Sequence, residues 1–312
     1  LFIGDEISMG PLTLFPALRF DHYKLSPQND PLLPATFVTT GQSGSRLSPK
    51  MGAVLKLNSE VRLFANYAQG FRAPEPSQVN QFFENLAQGY TSRPNADLGP
   101  ERSESIEGGI RFTSEAVSLS ATAFSARYKD FISQEVVGGG FTPNNPAIFQ
   151  FINLDRVKVE GAEARLELRD KGGLNGQLAL SYAKGDVIDP QANTRMPLAT
   201  VDPLKLVAGI GWRDPQGRFG GQLIATHSAR KSEARSAGVC TPSCFRPEAF
   251  TILDATAFVA LGPVTLRAGL FNLTNAKYAW WSDVRGLASN TTIADAFTQP
   301  GRNGSVSLTY RL

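Results

Sequence analysis

Apolar residues recur at every second position along most of this chain. In Val61-Arg62-Leu63-Phe64-Ala65-Asn66-Tyr67, one face carries Val61, Leu63, Ala65 and Tyr67, while the other mixes Arg62 and Asn66 with Phe64. Leu253, Ala255, Ala257, Val259 and Leu261 alternate with Asp254 and Thr256, and Val264, Leu266, Ala268 and Leu270 alternate with Thr265 and Arg267. Ala162, Ala164, Leu166 and Leu168 stand opposite Glu163, Arg165, Glu167 and Arg169. A period of two places successive side chains on opposite faces of a strand, so each segment is predicted to be apolar on one side and polar on the other.

The predicted strands are joined alternately by short and long connections. Gly10-Pro11, Asn58-Ser59, Ser114-Glu115, Lys171-Gly172-Gly173, Pro215-Gln216-Gly217 and Gly262-Pro263 each carry a residue suited to a tight turn. Between them lie longer stretches rich in Gly, Pro, Asn and Ser at 25–44, 71–100, 131–147, 187–198, 231–248 and 277–299. About 13 strands result, the last from Ser305 to Leu312. Tight turns on one side and long loops on the other are the layout of an outer-membrane barrel. The fold class expected is therefore all-β, a transmembrane antiparallel β-barrel, with residues 1–312 forming one part of it. Bacterial barrels use even strand numbers, so strands are expected to precede Leu1, and the chain reads as a fragment of a longer precursor.

Composition agrees with this layout. Of 312 residues 42% are hydrophobic and only 19% charged, against roughly 25% charged in a typical soluble chain. No run of about 18 apolar residues occurs, which excludes a spanning helix but not a spanning strand. The formal net charge of +3, from 31 bases and 28 acids with no basic cluster, argues against a nucleic-acid partner. Two Cys and two His do not supply a four-ligand zinc site, so no metal site is expected. Gly138-Gly139-Gly140 lacks the Lys-Ser/Thr of a phosphate loop, and no nucleophile elbow is present, so no enzyme is expected.

Several short motifs are more specific. Phe71-Arg72-Ala73-Pro74, followed by Pro94-Asn95-Ala96-Asp97-Leu98-Gly99-Pro100-Glu101, resembles the paired FRAP and NPNL boxes of TonB-dependent outer-membrane receptors for haem and haem proteins. Leu18-Arg19-Phe20-Asp21-His22-Tyr23, Tyr128-Lys129-Asp130-Phe131-Ile132, Asn153-Leu154 with Val159-Glu160-Gly161-Ala162-Glu163, Phe271-Asn272-Leu273-Thr274-Asn275, the stretch Tyr278 to Gly286, and Gln299-Pro300-Gly301-Arg302 are similar to the same family, in family order. The resemblance implies the C-terminal part of a barrel of about 22 strands, without the N-terminal plug and the TonB-coupling box. It implies a bacterial outer-membrane location and uptake of haem, or of haem from a haem-carrying protein. No cofactor is built in, and the partners would be the haem carrier, outer-membrane lipid and, through the missing N-terminal region, the TonB complex. A ferric-siderophore receptor is the alternative; a passive porin or an enzymatic barrel is the second.

The family's haem receptors carry an iron-ligating His between the two boxes. Here Glu75 to Arg93 contains Tyr90 but no His, which makes Tyr90 the substitute ligand to examine. Arg72 could pair with an acid or with a ligand carboxylate, and Pro74 ends its strand. His22 and His227 sit late in their strands, His227 on the face of Leu223 and Ala225, as interfacial residues would. Trp280 and Trp281 are expected at the top of the penultimate strand, at least one in an aromatic girdle and at most one facing inward toward a flat ligand. Cys240 and Cys244, with three residues between them in an outer loop, are expected to form a local disulfide. Finally, Val306, Leu308 and Tyr310 alternate outward to Leu312, where barrel assembly signals usually end in an aromatic residue. Leu312→Phe is expected to speed assembly, and equal folding yields in membranes would refute this.

Overall fold

The computed structural model describes residues 1–28, 32–34, 37–140, 142–189, 194–237, 240 and 242–311. Leu312 lies outside the described residues. An edge line made of β1 (Phe2–Gly4) and β2 (Ile7–Met9) pairs with β3 (Leu12–Leu25), which leads through β4 (Gln42–Lys56) to β5 (Val61–Arg72). A long excursion follows, containing helix α1 (Pro76–Val79) and the short strands β6 (Glu84–Asn85) and β7 (Tyr90–Ser92). The wall resumes with β8 (Glu101–Thr113), β9 (Val117–Gly138), β10 (Ala147–Arg169) and β11 (Leu174–Asp189). After the loop strand β12 (Thr194–Pro197) come β13 (Lys205–Arg213), β14 (Phe219–Ser228), β15 (Phe250–Leu261), β16 (Val264–Phe271) and β17 (Asn303–Tyr310).

With β1 and β2 counted as one line, and β6, β7 and β12 set aside as loop elements, the described wall has thirteen lines, the number the alternation predicts. Each pairs antiparallel with its neighbours, and among the described residues no pairing closes β17 onto β1 or β2. Among the described residues no helix is long and apolar enough to cross a membrane.

The register carries one apolar face across the whole wall. Leu63 pairs with Ile110, Ile110 with Ala121 and Ala121 with Ala164; farther along, Leu178 pairs with Ala208, Ala208 with Ala225, Ala225 with Leu253, and Leu266 with Leu308. Ile106 (60%), Ile210 (58%) and Leu308 (68%) are more than half exposed, so this face is covered by something other than the chain. Burying one such side chain is worth about 1.5–3 kcal/mol, which lipid supplies. The opposite face is polar: Glu167 bridges Arg165 (2.6 Å) and Arg169 (2.5 Å), and Asn66 donates to Glu107 (2.8 Å). Phe64 on this face lies over Gly109, and Phe124 lies over Gly161. A Cβ at either glycine would come within 2.7 Å or less of ring or backbone atoms, so the rings need glycine beneath them.

Several loop boundaries differ from expectation, two of them instructively. The stretch 131–147 is predicted as a loop, but β9 and β10 run on as a paired ladder to Gly138 and Ile148. Above the membrane a hairpin satisfies its own backbone groups and needs no apolar face, so alternation no longer marks it. The last strand begins at Asn303 and β16 stops at Phe271, so the final long connection spans 272–302.

Candidate functional site

Two assemblies of long loops stand at the end of the wall opposite the tight turns. The first is the segment 73–100. Arg72 Nε donates to Glu101 Oε2 (2.5 Å), and Glu101 Oε1 accepts the backbone N–H of Ile132 (2.7 Å). Glu101 is buried, and this carboxylate holds the Arg72 guanidinium above its ordinary pKa, chiefly through the hydrogen bond. Asn153 accepts from the Gly99 N–H (2.7 Å) and donates to the carbonyls of Gly99 (2.9 Å) and Asp130 (2.7 Å). Asn95 donates to the Phe151 carbonyl (2.8 Å) and, through its own N–H, to that of Val79 (2.9 Å). Gln42 reaches the carbonyls of Ala96 and Leu98 from β4, and Asn80 exchanges two bonds with Thr40. Val79, Leu98 and Ile132 form the small dry core beneath these bonds.

The motif residues therefore fasten the loop to the wall. Arg72 and Glu101 pair with each other, Leu98 fills the core, Pro74 is buried at the strand exit, and the Phe71 ring meets Tyr23 at 5.9 Å. Ala73 and Pro100 are half-buried, and Asp97 remains exposed, its N–H capped by Asn95. β7 docks parallel to the start of β10, which brings Tyr90 together with Phe83 (6.0 Å) and Phe149 (6.4 Å). The Tyr90 hydroxyl accepts a hydrogen bond from Asn85 (3.1 Å), and its ring is half-buried.

The second assembly joins 194–204, 229–249 and 272–302. Cys240 and Cys244 form the expected disulfide, with Cα atoms 4.9 Å apart. Cys244, Ala279, Trp281 and Val284 make a core with Ala199, Phe245, Leu287 and Phe297 around it. Trp281 is buried and donates its Nε1–H to the Ala199 carbonyl (2.7 Å), which corrects its expected place: it belongs neither to a girdle nor to a ligand face. Lys231 is also buried, donates to the Val201 carbonyl, and lies 5.6 Å over the Trp281 ring; burial first, then Arg235, lowers its pKa. Trp280 is half-buried and also lies away from the girdle. It packs on Phe250 (5.0 Å) and Tyr278 (5.6 Å) with Lys205 Nζ 4.5 Å over its ring, and Phe250 and Lys205 both lie on the polar face of the wall. Desolvation raises the Tyr278 pKa.

Two more motifs meet at the foot of this assembly. Asn272, buried with φ +50°, donates to the carbonyls of Ala276 (2.8 Å) and Pro300 (3.2 Å) and accepts the Ala276 N–H (2.9 Å). Arg302 returns the link, its N–H to Asn275 Oδ1 (2.9 Å) and its Nε to the Leu273 carbonyl (3.0 Å). Asn272→Ala is expected to destabilise the protein by about 2–3 kcal/mol, since the part-buried bonds to the Ala276 and Pro300 carbonyls are lost and the left-handed backbone loses its tolerant residue. Asn272→Gly relieves only the backbone and should recover about 1 kcal/mol of that loss. Denaturant melts in detergent check both.

The two histidines lie on the apolar face. His22 Nδ1 bonds Ser45 Oγ and His227 Nδ1 bonds Thr251 Oγ1, each at 2.9 Å, in the register of Leu18, Phe20, Leu223 and Ala225. Neither turns toward the loops or the polar face. The alternation also held an unremarked belt. Trp212 and Phe219 touch at 5.3 Å beside one tight turn, Tyr310 pairs with Val264 beside the next, and Tyr67 and Tyr182 stand higher on the same face. Aromatic residues next to turns and at strand tops are the signal that would have found them.

A family model described as "TonB dependent receptor-like, beta-barrel" matches residues 1–273. Among curated proteins, the chain is 27% identical over 288 residues to the "Hemoglobin and hemoglobin-haptoglobin-binding protein" of Haemophilus ducreyi, covering 79% of this chain and 29% of that one. It is 25% identical to the "Hemoglobin-haptoglobin utilization protein B" of Neisseria meningitidis, covering 80% and 35%. The chain thus spans about a third of the length of these relatives or less. Among solved structures it resembles the copper transporter OprC (TM-score 0.76, 15% identity, 97% of this chain and 45% of that one). The FrpB iron transporter of Neisseria meningitidis is similar too (TM-score 0.74, 16% identity, 99% and 44%).

Proposed function

The chain belongs to the TonB-dependent receptor-like β-barrel family of the bacterial outer membrane, and on that premise we propose that it is the C-terminal barrel part of a receptor for haem or for haem carried by a protein. Such a receptor binds and transports; it makes and breaks no bond of its ligand. The observation that carries the reading is the identity of the residues shared with haem-receptor motifs. They are the ones that pin both loop assemblies to the rim, through Arg72 with Glu101, Asn153 with Gly99, and Asn272 with Pro300. A rigid rim fits capture of a large carrier before release of a small flat ligand inward, with energy delivered by the TonB complex through a region outside this chain.

Haem ligation is the testable step. Both histidines face lipid, which leaves Tyr90 and Trp280 as this chain's candidates, one to ligate iron and one to stack on a porphyrin. Titrating haemin into the complete receptor should shift the Soret band, and Tyr90→Phe, which keeps the ring packing, should diminish that shift. A shift untouched by Tyr90→Phe removes Tyr90 as ligand. The same histidine placement favours a second reading, a ferric-siderophore receptor, which needs no imidazole: no Soret change together with tight binding of a ferric siderophore would establish it instead.

A further inference from the structure

On the apolar face the membrane band ends abruptly, and what lies above it is cationic. The register aligns Ile106, Ser125, Glu160 and Lys184 in one row; Glu104, Arg127, Lys158 and Asp186 in the next; and Arg102, Lys129 and Arg156 in the third. Six cations thus face three carboxylates, a local excess of three positive charges. The carboxylates are already engaged: Glu160 by Lys158 (2.6 Å) and Lys184 (3.6 Å), Asp186 by Arg235 (2.7 Å), and Glu104 by the Tyr67 hydroxyl (2.9 Å). Arg102 touches Asp130 only at 3.8 Å, and among the described residues Arg127, Lys129 and Arg156 have no ion-pair partner. Like charges directly opposed on neighbouring strands repel, so a row of Arg102, Lys129 and Arg156 is unfavourable unless an anion sits on it.

That anion has a place. Gln69, Arg102, Glu104, Arg127 and Lys129, on the face of Tyr67, line a shallow concavity that Arg46 and Ser103 complete from the other face, Arg46 lying on β4 where β4 and β5 have ceased to pair. Most of its lining belongs to the face of the lipid band, in the rows directly beyond Tyr67 and Ile106, where headgroups would meet water. Arginine forks and a lysine point charge suit phosphate oxygens, and two phosphates would match the excess charge. We propose that this cluster binds the phosphate groups of an outer-leaflet glycolipid, which would fix the barrel's depth and reinforce β5, β8, β9 and β10 below the first loop assembly. The inference rests on the family assignment and is independent of the transported ligand.

The test uses the complete receptor in mild detergent. Organic phosphate retained through purification is measured, and affinity for a bis-phosphorylated glycolipid in mixed micelles is compared for wild type, Arg127→Glu/Lys129→Glu, and Lys171→Glu at the opposite rim as control. The double reversal should lose the co-purified phosphate and bind the glycolipid at least about tenfold more weakly, with Lys171→Glu unchanged. Should the reversal impair folding, Arg127→Gln/Lys129→Gln removes charge only and should show the same trend, with heat-modifiable gel mobility reporting an intact barrel. Equal retention by all variants overturns the proposal. So does displacement of the glycolipid by millimolar inorganic phosphate, which marks a free-phosphate site, or a loss of haem-protein capture with lipid binding intact, which marks a partner surface. Haemin titration of the same variants should be unaffected, which separates this inference from the haem reading.

Discussion

Glu101→Ala is expected to release the 73–100 segment from the wall while leaving the barrel assembled. The Glu101 side chain binds both the strand exit, at Arg72, and the backbone of β9, at Ile132. The Ile132 N–H is buried, and leaving it without an acceptor costs about 1–3 kcal/mol. Arg72 is 44% exposed at its side chain, so water compensates most of what it loses and the Coulombic share is small. The sum is about 2–4 kcal/mol, comparable with what holds a surface segment in place. Glu101→Gln keeps an acceptor for the buried Ile132 N–H and turns its NH2 toward Arg72, whose exposed guanidinium can turn to water, and should cost about 1 kcal/mol. Limited proteolysis reads the difference: cleavage within 76–93 should accelerate strongly in Glu101→Ala and slightly in Glu101→Gln. Unchanged cleavage in both would show that Asn95, Asn153 and the Val79–Leu98–Ile132 core suffice. Because Tyr90 is carried on this segment, haemin binding should weaken in parallel with cleavage.

The wall was legible in the sequence because a membrane strand has little freedom: one face must be apolar and each backbone group must pair with a neighbour. Val61, Leu63, Ala65 and Tyr67 therefore announced both the strand and its lipid face, and the tight turns announced the pairing order. The loops escaped because nothing there enforces a period. Trp280 and Trp281 look equivalent as adjacent aromatics, yet Trp281 fills a core built from three separate loops and Trp280 joins Phe250 across the polar face. Contacts separated by 82 residues, such as Trp281 with Ala199, leave no local mark. Arg72 and Glu101 were legible as a motif, but their partnership was not, since the pairing depends on how β8 returns beside β5. The cation row above the band needed register, because Arg102, Lys129 and Arg156 are remote in sequence and adjacent only through two pairings.

Leu223→Arg is expected to destabilise the barrel by about 2–4 kcal/mol, and Gln222→Arg, one residue away, by almost nothing. Leu223 sits four residues above Phe219 and four below His227, at the middle of the band, flanked by Ile210 and Ala255 on the apolar face. An arginine there cannot reach either interface without bending the bilayer, and no carboxylate lies in that row. Gln222 points the other way, between Gly211 and Thr256 on the polar face, where the lumen is wet and a guanidinium keeps its hydration. Because strand propensity, backbone pairing and added charge are the same for both variants, the difference isolates the solvent on each side of the sheet. Urea-driven unfolding from phospholipid vesicles measures it. Equal destabilisation would mean that both faces meet the same medium, and the lipid assignment of the apolar face would fall. If the difference appears, repeating it at His227 should give a much smaller value, since the cost of charge declines toward the interface. The depth profile then locates the membrane boundary relative to His227, whose row runs through Leu206 and Leu180 to Ala164, below the rows of Tyr182 and of Glu160, the lowest carboxylate of the cation cluster.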